Sequence, residues 1–178
     1  NSKTYLFSPS KPNIPAKVID DRNYQDRYSD PGDFVTQKGK YGKKILALEG
    51  NKAFLLADGF SEKGQFPFLD RIDLKSDKKV RIYESTYTEK YEQLYDYNFI
   101  DKKLSVRIES KSEYPNYFIR SLGDKNSLTQ QTFFENPFKN LKNVGKELIS
   151  YKREDGLNLS GILYTPEGFN KDDPEQLP

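Results

Sequence analysis

Between Ile45 and Phe134 the chain alternates short apolar or aromatic runs with turn-forming residues, and each run has the length of a β-strand. No stretch of this region has the length and periodicity of an amphipathic helix. The runs fall into two sets of four, which predict two consecutive four-stranded antiparallel meanders and an all-β fold. The predicted strands are Ile45–Leu48, Ala53–Phe60, Phe66–Leu74 and Val80–Tyr83, then Leu94–Ile100, Leu104–Glu109, Tyr117–Leu122 and Leu128–Phe134.

The two sets repeat with an offset of 48 residues, which aligns Leu56 with Leu104 and Leu74 with Leu122. Four strands in a repeat of this length are what a blade of a β-propeller requires. We therefore predict a partial β-propeller of about two blades, with part of a third blade before Ile45. A generic antiparallel sandwich with similar turns is the alternative on the pattern alone.

Composition excludes several classes of site. The chain has no His and no Cys, which removes imidazole or thiolate catalysis, Cys- and His-ligated zinc and disulfides. Its 29 Lys and Arg against 27 Asp and Glu give a net charge of +2, too little to indicate nucleic-acid binding. The longest apolar run, Ala53–Ala57, is too short for a membrane span. We assign no catalytic, cofactor-binding or metal-binding residue, and we expect no cofactor.

The segment Asp20–Asp33 packs charges of both signs around two tyrosines and a Pro-Gly turn. It is either an arginine-lined binding loop or a salt-bridged connection, and the balanced charge favours the connection. Its acids Asp20, Asp21 and Asp26 are poor candidates for a glycosidase pair, because acids beside arginine are usually ion-paired. No spacing selects a substrate-binding residue among Arg22, Arg27, Arg71, Arg107, Arg120 and Arg153.

A different organisation begins after Phe134. Residues 135–146 read as a Pro-containing linker, and Asp155-Gly156 between two alternating runs predicts a hairpin over Glu147–Tyr164. We expect three segments: 1–134 as propeller, 135–146 as linker and 147–178 as the hairpin of a further, unfinished domain. Because position 1 is not Met and the polar stretch Asn170–Gln176 leads to the last residue, we expect a piece cut at both ends.

The segment Glu147–Phe169, with its Asp-Gly turn and its ending Tyr164-Thr165-Pro166-Glu167-Gly168, resembles the opening of the α/β-hydrolase domain in the prolyl oligopeptidase family of serine peptidases. Further phrases look most like the glutamyl endopeptidase branch. These phrases are Asp21-Arg22, Asp30-Pro31-Gly32, Pro67-Phe68-Leu69-Asp70, Glu109-Ser110-Lys111 and Asn136-Pro137-Phe138. The resemblance implies a propeller that caps a hydrolase domain with a Ser-Asp-His triad. The chain contains no Gly-x-Ser-x-Gly motif and no His, so we expect the parent protein, and not this chain, to be the enzyme.

On this interpretation the partners are peptide substrates of the parent enzyme and the missing α/β-hydrolase domain. We also expect the fragment to self-associate through blade faces and hairpin edges that have lost their cover. The resemblance to this family also suggests a periplasmic or secreted location for the parent protein. The rival hypothesis is a free-standing β module whose aromatic-rich surface binds carbohydrate or a protein partner.

Overall fold

The computed structural model describes residues 1–123, 127–141 and 143–170. These residues contain antiparallel strands and one short 3₁₀ helix, Lys139–Leu141, so the all-β prediction is confirmed. No helix in the described ranges is long and apolar enough to cross a membrane. The described residues divide into two compact units, one ending at Phe134 and the other beginning at Glu135.

Four strands form a sheet that we call the second sheet. They are β12 (Lys90–Asn98), β13 (Lys103–Ser110), β14 (Asn116–Ser121) and β15 (Ser127–Gln130). They pair in chain order, each antiparallel to the next, as the alternation of the sequence predicts. The segment 123–126, whose Gly, Asp and Asn residues predict a turn, lies outside the described residues except for Gly123.

The first sheet is also antiparallel, in the order β11 (Lys79–Glu84), β10 (Phe68–Asp73), β7 (Lys52–Ala57) and β3 (Asp33–Phe34). A further short strand, β6 (Leu48–Glu49), pairs with β7 as well. The third strands of the two sheets begin at Phe68 and Asn116, and the fourth at Lys79 and Ser127, which is the predicted offset of 48 residues. The second strands, which begin at Lys52 and Lys103, do not keep this offset.

The edge of the first sheet corrects one prediction, because Ile45–Leu48 is not a single strand. Phe34 pairs with Leu55, the Val35 amide donates to the Phe54 carbonyl at 2.9 Å, and Leu48 then pairs with Ala53. One composite strand therefore runs along β7, and residues 36–47 leave it and return. Within this excursion β4 (Thr36–Lys38) and β5 (Lys44–Leu46) form the inserted hairpin.

The main core lies between the two sheets. Phe54 and Leu69 of the first sheet are buried in one cluster with Leu104, Val106 and Ile108 of the second sheet. These side chains alternate along their strands, so each sheet turns one apolar row towards the other. The apolar rows of two separate sheets therefore meet in this core.

The opposite face of the first sheet has its own, smaller core. Ala53, Leu55 and Ile72 are buried there, and Ile19 packs against them. Ile19 belongs to β2 (Lys17–Arg22), which pairs with β1 (Ser2–Leu6). Both faces of the first sheet are thus covered, one by the second sheet and one by this hairpin. The remaining pair in this unit is β8 (Phe60–Ser61) with β9 (Gly64–Gln65).

The described part of the second unit contains a hairpin, formed by β16 (Gly145–Lys152) and β17 (Asn158–Thr165). Gly156 has a φ of 87°, and the Arg153 amide donates to the Leu157 carbonyl at 2.9 Å, which closes the turn at the predicted place. Leu148 and Ile162 are paired across one face and Ile149 and Leu159 lie on the other, so both faces carry apolar residues.

We expect the amides of this hairpin to exchange with solvent much faster than those of Leu55 and Ile72. A hairpin of two strands is marginally stable by itself, whereas Leu55 and Ile72 lie in a sheet covered on both faces. Amide hydrogen exchange on the monomer, read at Ile149 and Leu159, measures the difference. Equal protection at the two sets of amides would contradict this expectation.

Candidate functional site

The most deeply buried charged group of the described residues is the Glu92 carboxylate. Glu92 lies on β12 opposite Ile108, on the face of the second sheet that packs against the first sheet, and is 1% exposed. An ionised carboxylate in such a place is costly unless it is paired and hydrogen-bonded. The neighbouring side chains must therefore provide partners.

Arg120 provides the first partner. It lies on β14, opposite Leu104, and its Nη2 and Nε donate to Oε1 of Glu92 at 2.7 and 3.2 Å. The other carboxylate oxygen, Oε2, accepts a hydrogen bond from the hydroxyl of Tyr83 on β11. The Tyr87 hydroxyl accepts a longer one, 3.4 Å, from Nη2 of Arg120. We call Tyr83, Tyr87, Glu92 and Arg120 the inter-sheet cluster.

The surroundings of Tyr83 and Arg120 favour the protonated, donating form of each side chain. Burial, then the hydrogen bond to Glu92 and its charge, raise the pKa of Tyr83 well above the usual tyrosine range, so the phenol remains a donor. Burial works to lower the pKa of Arg120, but its bonds to Glu92 and Tyr87 outweigh burial and raise it. The stability contributed by the neutral phenol is present below the usual tyrosine pKa. It is lost as the pH rises through the raised folded value.

The inter-sheet cluster is therefore a closed network with a structural role. Both oxygens of Glu92 accept hydrogen bonds and its side chain is 0% exposed, so the carboxylate is turned to its partners and away from solvent. The guanidinium of Arg120 also lies 5.0 Å from the Tyr83 ring centroid. Tyr83 comes from the first sheet and Glu92 and Arg120 from the second. The network fixes how the two sheets meet.

A polar cleft of about 240 Å³ lies beside the charged segment Asp20–Asp33. Arg22 organises this segment: its guanidinium pairs with Asp30 at 2.8 Å and Asp20 at 3.6 Å and donates to the carbonyls of Asn23 and Asp26. The ion pairs of Arg22 are those that the balanced charge of the segment predicts. Arg22 is largely buried in making them.

Arg27 is the second arginine that lines this cleft, and it is held differently. Its guanidinium lies 4.3 Å from the centroid of the Phe60 ring, and its ion pair with Asp58 is long, 3.9 Å. Its side chain is 67% exposed. The cleft thus combines an accessible guanidinium with several aspartates, Asp20, Asp30, Asp33 and Asp58, and the acids outnumber the arginines.

The remaining charged residues singled out in the sequence are separated by the fold. Arg71 pairs with Glu49 at 3.8 Å, Arg107 with Glu109 at 2.6 Å, and Arg153 with Asp155. Each acid of the group considered for glycoside hydrolysis has its own local partner. Asp20 pairs with Arg22, Asp21 with Lys3, and Asp26 accepts bonds from the Tyr28 and Ser29 amides. The side-chain hydrogen bond from Ser29 is the main cause of the lowered pKa of Asp26.

Sequence reasoning did not find the inter-sheet cluster, although one signal of it was present. Arg120 stands two residues after Phe118 in a strand-length run, so strict alternation places both on the same face. Its partner Glu92 is 28 residues away on a strand that does not pair with β14. Only the order of strands in the sheet brings the two together.

The chain is similar in sequence to two proteins that are named as peptidases. It is 29% identical over 192 residues to a probable glutamyl endopeptidase, chloroplastic, of Arabidopsis thaliana, and 30% identical to the protein of that name in Oryza sativa subsp. japonica. Each alignment covers 99% of the chain and 20% of the relative, so the chain spans about a fifth of the length of these relatives. No family model matches the chain. It is thus related in sequence to proteins named as peptidases.

Two solved structures are similar to part of the chain. They are the AtxE2 isopeptidase in a variant with Astexin3-dC4 bound, with a TM-score of 0.42, and the same isopeptidase in its apo form, with 0.41. Each is 14% identical in sequence and covers 77% of this chain and 22% of the solved chain.

Proposed function

We propose that this chain is a non-catalytic β segment of a serine peptidase of the prolyl oligopeptidase family. In this proposal residues 1–134 are propeller blades, 135–146 are a linker, and 147–178 begin the α/β-hydrolase domain. The whole protein hydrolyses peptide bonds through a Ser-Asp-His triad that lies elsewhere in its sequence. The observation that carries the proposal is the similarity of 99% of the chain to two proteins named glutamyl endopeptidase.

The architecture of the first unit supports the assignment as blades. Two successive antiparallel sheets pack face to face through a shared apolar cluster, as neighbouring propeller blades do. Each sheet has four strands when β3 and β6 are counted as the one composite strand along β7. The hairpin β1–β2 covers the other face of the first sheet, in the position of a preceding blade. In this proposal a neighbouring blade that is not part of this chain covers the outer face of the second sheet. That face carries the rings of Tyr95 and Tyr117, whose centroids are 5.7 Å apart.

The second unit supports the assignment as the start of another domain. Its hairpin carries exposed apolar side chains on both faces, with Leu148 72% and Tyr151 55% exposed. Strands with apolar residues on both faces are typical of sheets that are covered on both sides. The central sheet of an α/β-hydrolase domain provides such a setting. The peptide substrates of the whole protein would be cleaved there.

We expect that a fluorophosphonate probe will not label the purified chain and that the chain will not cleave peptide substrates containing Glu. Acyl transfer needs an activated nucleophile, and the chain has neither His to activate a serine nor any Cys. Probe labelling and peptide turnover are to be measured on the chain and, side by side, on the full-length product of its gene.

The full-length product should be labelled at a serine within a Gly-x-Ser-x-Gly motif and should cleave peptides, and its Ser→Ala variant should do neither. Labelling of the isolated chain would refute the assignment of its residues as non-catalytic. A full-length product without that motif, or one whose β unit retains glycans and cleaves nothing, would favour the free-standing binding module instead.

A further inference from the structure

The inserted hairpin consists of β4, β5 and the tip between them. It interrupts the edge of the first sheet without changing how that edge pairs with β7. The composite strand keeps its register along β7 on either side of the insertion, at Phe34 and at Leu48. Every residue of the two short strands except Leu46 is exposed, so the hairpin adds little to the core. Exposed insertions on a rigid scaffold are common places for binding.

The charge of the inserted hairpin is of one sign. It carries four lysines, Lys38, Lys40, Lys43 and Lys44, and no acidic residue. In the described part of the chain the lysines that form ion pairs are Lys3, Lys17, Lys90 and Lys139. The hairpin lysines are absent from that group, so their charges are available to a partner.

Two of these lysines are placed against each other. Lys38 and Lys44 are directly opposite in the antiparallel register, with their side chains on the same face. Like charges at directly opposite positions destabilise a strand pair, so folding alone gives no reason for this arrangement. A carboxylate between the two ammonium groups would remove the repulsion and gain two charge-assisted hydrogen bonds.

The backbone of the inserted hairpin points to the type of partner. The two strands form a sheet of their own in the described structure, so each has an edge without a strand partner. Such an edge can accept an extended polypeptide as a third strand, which neither a nucleic acid nor a lipid can supply. The tip is ordered by a bond from the Gly39 amide to the Lys43 carbonyl at 2.8 Å. It presents Tyr41, which is 84% exposed.

We propose that the inserted hairpin is a docking site for an extended acidic peptide segment of a partner protein. The peptide adds to a free strand edge, and one of its carboxylates lies between Lys38 and Lys44. The low net charge of +2 and the lack of arginine in the hairpin favour this partner over a nucleic acid, which selects for strong positive fields. The proposal is independent of the peptidase assignment, because it concerns binding by this chain alone.

The test is fluorescence anisotropy with the full 178-residue chain and a labelled peptide of alternating Glu and Thr, about ten residues long. The variant K38Q/K44Q should bind the peptide roughly ten-fold more weakly, the equivalent of about 1.4 kcal/mol. The matched control is K75Q/K78Q. It removes two exposed lysines from the turn between β10 and β11 and should leave the affinity nearly unchanged. A peptide methylated at alternate backbone nitrogens should also bind more weakly, because it cannot pair with a strand edge.

Stability separates lost binding from lost folding. K38Q/K44Q relieves a like-charge pair, so its melting temperature should equal or exceed that of the parent chain. Absence of peptide binding, or equal weakening by K38Q/K44Q and K75Q/K78Q, would overturn the proposal. Tighter binding of a single-stranded DNA or of phosphatidylserine vesicles, lost in K38Q/K44Q, would overturn it in favour of a different partner.

Discussion

Replacement of Arg120 by methionine should lower the free energy of unfolding by about 3–5 kcal/mol, the cost of removing one partner of a buried ion pair. Methionine retains much of the apolar volume of the arginine side chain but leaves the Glu92 carboxylate, whose side chain is 0% exposed, without its cation. The hydroxyl of Tyr83 would then be the one described donor left to that carboxylate. Urea or thermal unfolding followed by circular dichroism measures the loss.

The control is Arg107→Met, on the other face of the second sheet. Arg107 pairs with Glu109 at 2.6 Å, but both side chains are about 30% exposed, so water can solvate the remaining carboxylate. That variant should lose about 1 kcal/mol or less. Equal losses in the two variants would show that the inter-sheet cluster is no more important than a surface pair.

A double variant, Glu92→Leu with Arg120→Met, tests the physical reason for the loss. When both charges are removed no uncompensated ion remains, so the double variant should be more stable than Arg120→Met alone. Tyr83 would still lose its acceptor, which costs about 1–3 kcal/mol for a buried donor. The double variant should therefore lie between the parent chain and the single variant.

The second sheet is the part of the fold that the sequence predicts well. In its second strand, Leu104, Val106 and Ile108 alternate with Ser105 and Arg107 in a way that fixes which face is buried. The strands pair with their neighbours in the chain, so local patterns suffice. No long-range information is needed to obtain this meander.

The sequence predicts the strands of the first sheet less well, because the edge strand of that sheet is interrupted by the inserted hairpin. The run Ile45–Leu48 has the composition of a strand, but Leu46 pairs with Thr36 while Leu48 pairs with Ala53. The partner that completes the edge, Phe34, comes from before the inserted hairpin. Such a choice between two registers is decided by the sheet as a whole, and alternation within one run does not reveal it.

The candidate sites show the same difference between contacts that are close in sequence, which can be predicted, and contacts made only by the tertiary structure, which cannot. The connection Asp20–Asp33 was interpretable because its charges are close in sequence, and Arg22 reaches Asp20, Asp26 and Asp30 within it. Arg27 could not be selected, because Phe60 and Asp58 lie more than thirty positions further along the chain. The position of a guanidinium on an aromatic ring is a property of the tertiary structure.

Replacement of Gly59 by alanine should also destabilise the first unit strongly, by about 2–5 kcal/mol. Gly59 has a φ of 66°, and an alanine Cβ there would lie 1.8 Å from the Phe66 carbonyl oxygen. The left-handed conformation costs roughly 1–2 kcal/mol for a residue with a side chain, and forced overpacking costs a further 1–3 kcal/mol or so.

Gly50 provides a control that separates these two costs. It has nearly the same φ, 64°, but a Cβ there would meet no atom within 4 Å, so Gly50→Ala should show the backbone cost alone, about 1–2 kcal/mol. The backbones of Gly59 and Phe66 are also joined directly, because the Phe66 amide donates to the Gly59 carbonyl at 2.8 Å. The chain cannot move Phe66 away from a new methyl group without breaking this bond. The difference between the two unfolding free energies therefore measures the close approach of the two backbones, and equal losses would mean that the loop relaxes around the methyl group at no cost.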